Sequence, residues 1–184
     1  MFTYGSRTEQ GAVGYSVVRK DGLECDGVKS HMGYNQEAFD AGCAAIVRAL
    51  KLAVMRLGSP GRVLIISDAQ AAIRRMASEE PGPGQANAIE ERRWIMAIWR
   101  ANSAIAIEIR WCPAHKGVTG DKADEWPKVA AEEPDTWGVE WLRTANGAAQ
   151  QMLPRSLANF KREISEKKWA EARKGGRQDF PEEV

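Results

Sequence analysis

Two carboxylates and one histidine stand at positions where chemistry is usually exposed: Asp68, His115 and Asp124. Asp68 directly follows the apolar run Arg62–Ser67, which has the composition of a strand buried on both faces. In an open α/β sheet the carboxyl ends of such strands face the crevice where ligands bind. A carboxylate there either faces that crevice or caps the helix starting near Ala69. Asp124 opens a helical stretch after a glycine-containing loop that holds His115. On spacing alone, it is a first-turn acid favoured by the helix dipole or a ligand for a hard cation. The other histidine, His31, reads as a surface residue.

The elements that must position these groups are legible from period and punctuation. "FTYGS" ends a first strand in a Gly-Ser turn, and the segment through Asn35 reads as two more strands joined by glycine-containing turns. Asn35 has the residue type of a helix N-cap. From it, Phe39, Cys43, Ile46, Leu50, Val54 and Leu57 recur at spacings of three and four until Gly58 and Pro60. The Arg62–Ser67 strand comes next, then a short helix in "DAQAAIRRMAS" and a break at "PGPG". A helix over 86–102 is expected to gather Ile89, Trp94, Ile98 and Trp99 near one face. "SAIAIEIRWC" alternates as a strand, and "KADEWPKVAAEE" would be a helix but for Pro127. This order predicts a mixed five-stranded α/β sheet with helices on both faces.

Composition bounds the possibilities. The 184 residues are 43% hydrophobic and 28% charged, and 26 Lys and Arg against 25 Asp and Glu leave a formal charge of +1. No global basic field marks nucleic acid as a partner, so any such role rests on local surfaces. Cys25, Cys43 and Cys112 are too few and too scattered for a disulfide framework. With no membrane-length apolar run and no leader-like start, an intracellular setting, cytoplasm or nucleus, is expected. Three regions are anticipated: a domain over 1–133, a tryptophan-bearing linker over 134–153, and a charged helical tail over 154–184 with a frayed end.

"FTYGS", "SDAQAA" and "WCPAHKGVTGDKADEW", in this order with these elements between them, resemble the type 1 ribonuclease H family. The wording is closest to such domains in non-LTR retrotransposon polyproteins, whose tails also resemble the segment from Leu153 onward. The resemblance implies the ribonuclease H-like fold and metal-dependent hydrolysis of RNA in RNA/DNA hybrids. It also implies Mg²⁺ or Mn²⁺ as cofactor and a monomer once part of a larger polyprotein. Two ions about 4 Å apart activate water and stabilise the leaving oxygen. Four carboxylates offset their repulsion, one of them bridging both.

Carried over residue by residue, the family's acid after the fourth strand falls on Asp68, its loop histidine on His115, and its last-helix acid on Asp124. The stretch "HKGVTGDKAD" is one residue shorter than the usual spacing. The bridging acid falls on Tyr4, and the first-helix acid on Gly42, where the family reads "DAECAA" and this chain "DAGCAA". A tyrosine phenol is neutral at neutral pH and a poor ligand for hard cations. Asp40 lies about 200° round the helix from Gly42 and so points elsewhere. The catalytic candidates are therefore Asp68, His115 and Asp124, with Asp68 and Asp124 as metal ligands. By resemblance, Gly5, Ser6, Asn35, Gln36 and Gln70 contact the hybrid backbone. Arg74-Arg75 and Arg92-Arg93 read as solvated faces, and the tail helix is expected to dock its Leu157, Phe160 and Ile164 stripe on the domain. The expected function is a hybrid-binding domain of a retroelement with impaired catalysis. An active enzyme with a rebuilt metal site and a non-catalytic nucleic-acid or protein-binding module remain as alternatives.

Overall fold

Three strands leave the N-terminus as an antiparallel meander: β1 (Phe2–Arg7), β2 (Val13–Asp21) and β3 (Glu24–Gly33). The structure is a computed structural model that describes residues 1–21, 24–55, 61–113, 121–132 and 153–175, with backbone only at 20–21, 24–25, 121–125 and 174–175. After the meander come α1 (Ala38–Met55), β4 (Arg62–Ser67), α2 (Gln70–Ala77), α3 (Gln85–Ala101), β5 (Ala106–Trp111), α4 (Asp121–Glu132) and α5 (Leu157–Gly175). The sheet order is β3-β2-β1-β4-β5, with β1 to β3 antiparallel and β1-β4 and β4-β5 parallel. This is the mixed α/β sheet that the element order predicts.

The first strand is longer than its sequence suggests. Gly5 and Ser6 do not turn: β1 pairs with β2 from Phe2↔Val18 to Arg7↔Val13. The turn comes later, where the Thr8 amide donates to the Ala12 carbonyl at 2.8 Å and the Ala12 amide to Thr8 Oγ1 at 3.1 Å. Pairing along all six residues of β1 outweighs the turn preference of a Gly-Ser pair.

Strand alternation splits the core into two layers. On one face Val13, Tyr15, Val17, Val63 and Ile65 meet Cys43, Ile46 and Leu50 of α1, with Ile98 of α3 behind them. On the other face Tyr4 and Val18 gather Phe2 and Trp126 of α4. Because α4 lies chiefly over β1 to β3, Leu64 and Ile66 of β4 are only half-buried, not enclosed as the apolar run implied. In α3, Ala88 and Ile98 face inward, whereas Ile89 and Trp99, each about 100° further round, are exposed.

Two further expectations change. His31 is not on the surface: it is 2% exposed, and its Nδ1–H donates to the Ala130 carbonyl at 3.1 Å. That bond joins β3 to α4. Helix α4 also continues through Pro127. A mid-helix proline costs about 3 kcal/mol, which the seating of buried Ala130 and Ala131 on the sheet offsets. At the sheet edge, β5 presents Glu108, which is ion-paired to both Arg62 and Arg110. No helix among the described residues is long and apolar enough to cross a membrane.

Candidate functional site

The site is built where β4 ends beside the first half of β1. Their parallel register pairs Phe2 with Ile66 and Thr3 with Ser67. One residue further in the same register, Tyr4 comes beside Asp68. Asp68 is half-buried, and its carbonyl accepts the Gln70 amide at 3.0 Å and Trp111 Nε1–H at 3.2 Å. The N-cap of α2 is Ala69, one residue past Asp68. Gln70, the first residue of α2, is exposed.

Tyr4 points to the α4 side of the sheet, 7% exposed among Val18, Phe2 and Trp126. Opposite it in β2 stands Ser16, fully buried, whose hydroxyl finds no partner among the described residues. The apolar shell suits a phenol ring and would penalise a carboxylate.

Gly42 has a packing role that periodicity does not reveal. A Cβ at this position would lie 2.7 Å from Ala69 Cβ and 3.3 Å from Ala72 Cβ, so α2 has closed onto α1. Gly5 lets β1 approach the same turn of α1: its Cβ would lie 2.7 Å from the Gly42 nitrogen and 2.9 Å from Ala41 Cβ. Gly5, predicted to meet substrate, is thus also a close-approach residue. Ser6 lies half-buried in β1, paired with Gly14.

The N-terminal end of α1 forms a polar platform that the C-terminal segment occupies. Asn35 is not the cap. The Glu37 amide donates to Asp40 Oδ2 at 2.9 Å and the Glu37 carbonyl accepts the Ala41 amide at 3.1 Å, as in a capping box. Asn35 Nδ2 instead donates to the Leu153 carbonyl at 3.1 Å, and Gln36 Nε2 to the Pro154 carbonyl at 2.8 Å. The Ser156 amide donates to the Asn35 carbonyl at 2.9 Å, and its hydroxyl to Asp40 Oδ2 at 2.6 Å. Glu37 Oε1 accepts Asn159 Nδ2–H and Arg162 Nε–H, both at 2.7 Å, while Arg7 Nε lies 3.6 Å from Oε2. Burial raises the pKa of Asp40 above the usual carboxylate value.

Sequence reasoning missed Glu37, Asp40, Ser156, Asn159 and Arg162 here. A local signal existed for α5 alone: Ser156 Oγ accepts the Asn159 amide at 3.0 Å, an S-x-x-N cap. The docking of α5 also reverses expectation. Asn159 and Arg162 face the domain, and the Leu157, Phe160 and Ile164 stripe is 46%, 48% and 38% exposed. Polar partners on α1 select the polar face.

On the face of α1 opposite Gly42, a cleft of about 560 Å³ runs between α1, the start of α3 and residues 153–157. It shares Gln36 and Asp40 with the platform and is lined by Arg48, Lys51, Arg93 and Trp94. Lys51 Nζ sits 5.7 Å from the Trp94 ring centroid. Asp40 therefore points away from position 42, as its helical angle requires. His115 lies outside the described residues. Asp124 is the fourth residue of α4, and its side chain lies outside them.

The architecture is shared with solved structures. The N-terminal ribonuclease H domain of a Mycobacterium tuberculosis protein, solved as a fusion with maltose-binding protein, is similar at a TM-score of 0.54 and 17% identity. The match covers 71% of this chain and 97% of that one. RNase H1 from the halophilic archaeon Halobacterium salinarum matches at 0.52 and 17% identity, over 71% and 95% of the two chains. LC11-RNase H1, solved in complex with an RNA/DNA hybrid, matches at 0.51 and 20% identity, over 71% and 94%. This chain has the ribonuclease H fold. Neither a family model nor a curated protein matches the sequence, and at these identities the likeness is one of fold.

Within the ribonuclease H fold, Gly42 lies at the α1–α2 seam against Ala69, the neighbour of Asp68, whereas Tyr4 of β1 points to the α4 side of the sheet. Only Asp68 among them offers a carboxylate. A phenol packed on Val18, Phe2 and Trp126 and a glycine packed on Ala69 supply no carboxylate for a pair of dications. The described donors do not fit a two-ion centre.

Proposed function

We propose that this chain is a nucleic-acid-binding domain of ribonuclease H type from a retroelement, in which metal-dependent hydrolysis of RNA in RNA/DNA hybrids is impaired. The observation that carries this reading is the place of Tyr4 in β1, one residue past the Thr3↔Ser67 pair at which β4 ends, together with the Gly42–Ala69 contact. By resemblance those positions hold the bridging acid and the first-helix acid. Without them at most two of the four carboxylates, Asp68 and Asp124, remain to hold two Mg²⁺ or Mn²⁺ ions. The retroelement assignment rests on the motif wording. Hybrid binding is supported by the likeness in fold to a protein solved with a hybrid and by Gln70, exposed next to Asp68.

The test is incubation of the purified protein with a labelled RNA/DNA hybrid and Mg²⁺ or Mn²⁺, followed by a binding titration across salt. Binding that weakens with salt, without cleavage, is expected. Cleavage that disappears on Asp68→Asn overturns the impaired-catalysis reading, and no binding at low salt overturns the nucleic-acid reading.

A further inference from the structure

We infer that the polar platform at the start of α1 is a shared docking surface, held here by the chain's own C-terminal arm and open to a nucleic-acid strand only when the arm leaves. The inference rests on the nucleic-acid reading above and adds to it an intramolecular competitor. Asn35 and Gln36 are two of the three amide side chains assigned to the hybrid backbone, and both donate to the arm. The Leu153 and Pro154 carbonyls take them at 3.1 and 2.8 Å, in the acceptor role that phosphate or 2′-hydroxyl oxygens would play. A strand that takes the same N–H groups must displace the Leu153 and Pro154 carbonyls.

The arm is fastened by groups of its own. The Ser156 hydroxyl reaches Asp40, while Asn159 and Arg162 share one Glu37 oxygen. Release leaves Glu37 facing Arg7 at 3.6 Å, so its charge remains partnered on the open platform. Leu153 of the arm is buried in the main core, but beyond it the stripe of Leu157, Phe160 and Ile164 is exposed, so hydrogen bonds and ion pairs hold α5 and a polar ligand competes for those directly. If the arm is docked nine-tenths of the time, apparent affinity for a strand falls about tenfold.

The experiment uses the full chain and a fluorescent RNA/DNA hybrid in low-salt anisotropy titrations. Asn159→Ala with Arg162→Ala loosens the arm while removing a cation, so tighter binding cannot come from added charge. About tenfold tighter binding than the unsubstituted chain is expected. Equal affinities overturn the competition and leave the nucleic-acid reading standing, whereas no binding by either protein overturns both. Amide hydrogen exchange of the unsubstituted chain provides a check that needs no variant. Saturating hybrid should speed exchange at Ser156, whose amide bonds to Asn35, and at Phe160. Unchanged exchange with hybrid bound refutes the competition.

Discussion

Replacing Gly42 with alanine should destabilise the protein, although alanine is the better helix former. Intrinsic propensity favours Gly→Ala inside a helix by about 1 kcal/mol. The new methyl, however, would sit 2.7 Å from Ala69 Cβ, about 1 Å inside ordinary carbon–carbon contact. Forcing a methyl into a packed seam costs about 1–3 kcal/mol, so the net loss is about 1 kcal/mol. For a chain of this size that lowers Tm by about 2–4 °C. The companion change is Ala69→Gly, which removes the opposing methyl at an N-cap where glycine is better tolerated than alanine. The double variant should recover the single variant's loss, with a coupling of about 1–2 kcal/mol in a denaturant cycle. A Gly42→Ala protein more stable than the starting chain, or a double variant equal to the sum of the singles, would refute the close-contact account.

The same seam governs repair of the site. Tyr4→Asp with Gly42→Glu should regain Mg²⁺-dependent hybrid cleavage more readily when Ala69→Gly is added; equal activity with and without it would contradict the packing argument. Ser16→Ala should raise stability by about 1 kcal/mol in urea unfolding, because it removes a desolvated hydroxyl without a partner among the described residues. A loss of that size would mean the hydroxyl is satisfied. Glu91 is 5% exposed on α3, and burial pushes its carboxyl up to about 7 from 4.5. Between those values the folded chain keeps a proton that the unfolded chain releases, so stability falls as pH rises. Glu91→Gln should therefore match the unsubstituted chain at pH 4 and exceed it by about 1–2 kcal/mol at pH 8. The same difference at both pH values would count against that assignment.

What was legible in the sequence followed from local pattern. The three-stranded meander, the 3–4 spacing of Cys43, Ile46 and Leu50, and the run ending at Ser67 each report their own element, because one buried face imposes its period on the residues that fill it. Asp68 and Tyr4 were set in one site by the family resemblance, and in the structure the residues before them, Ser67 and Thr3, pair in parallel. The arm was not legible: its bonds to Asn35, Gln36, Asp40 and Glu37 span 116 to 125 residues, beyond any local signal. His31 was misplaced for a related reason, since its partner is a backbone carbonyl 99 positions away. Gly42 reads as a helix weakness in one dimension and as a spacer between helices in three.

The charged strand at the end of the sheet has a consequence for handling the protein. β5 is an edge strand, and an edge offers unpaired backbone groups to any other strand that approaches. Arg62, Glu108 and Arg110 place alternating charge along that margin, so a second sheet arriving there must strip water from ions before it can pair. This is a barrier to self-association and adds little to folding free energy, because exposed ion pairs contribute little to stability. Concentrated salt screens the barrier, and with it the protection against edge-to-edge growth. Dilute buffer, which also favours the binding titrations, is the condition in which the protein should remain dispersed.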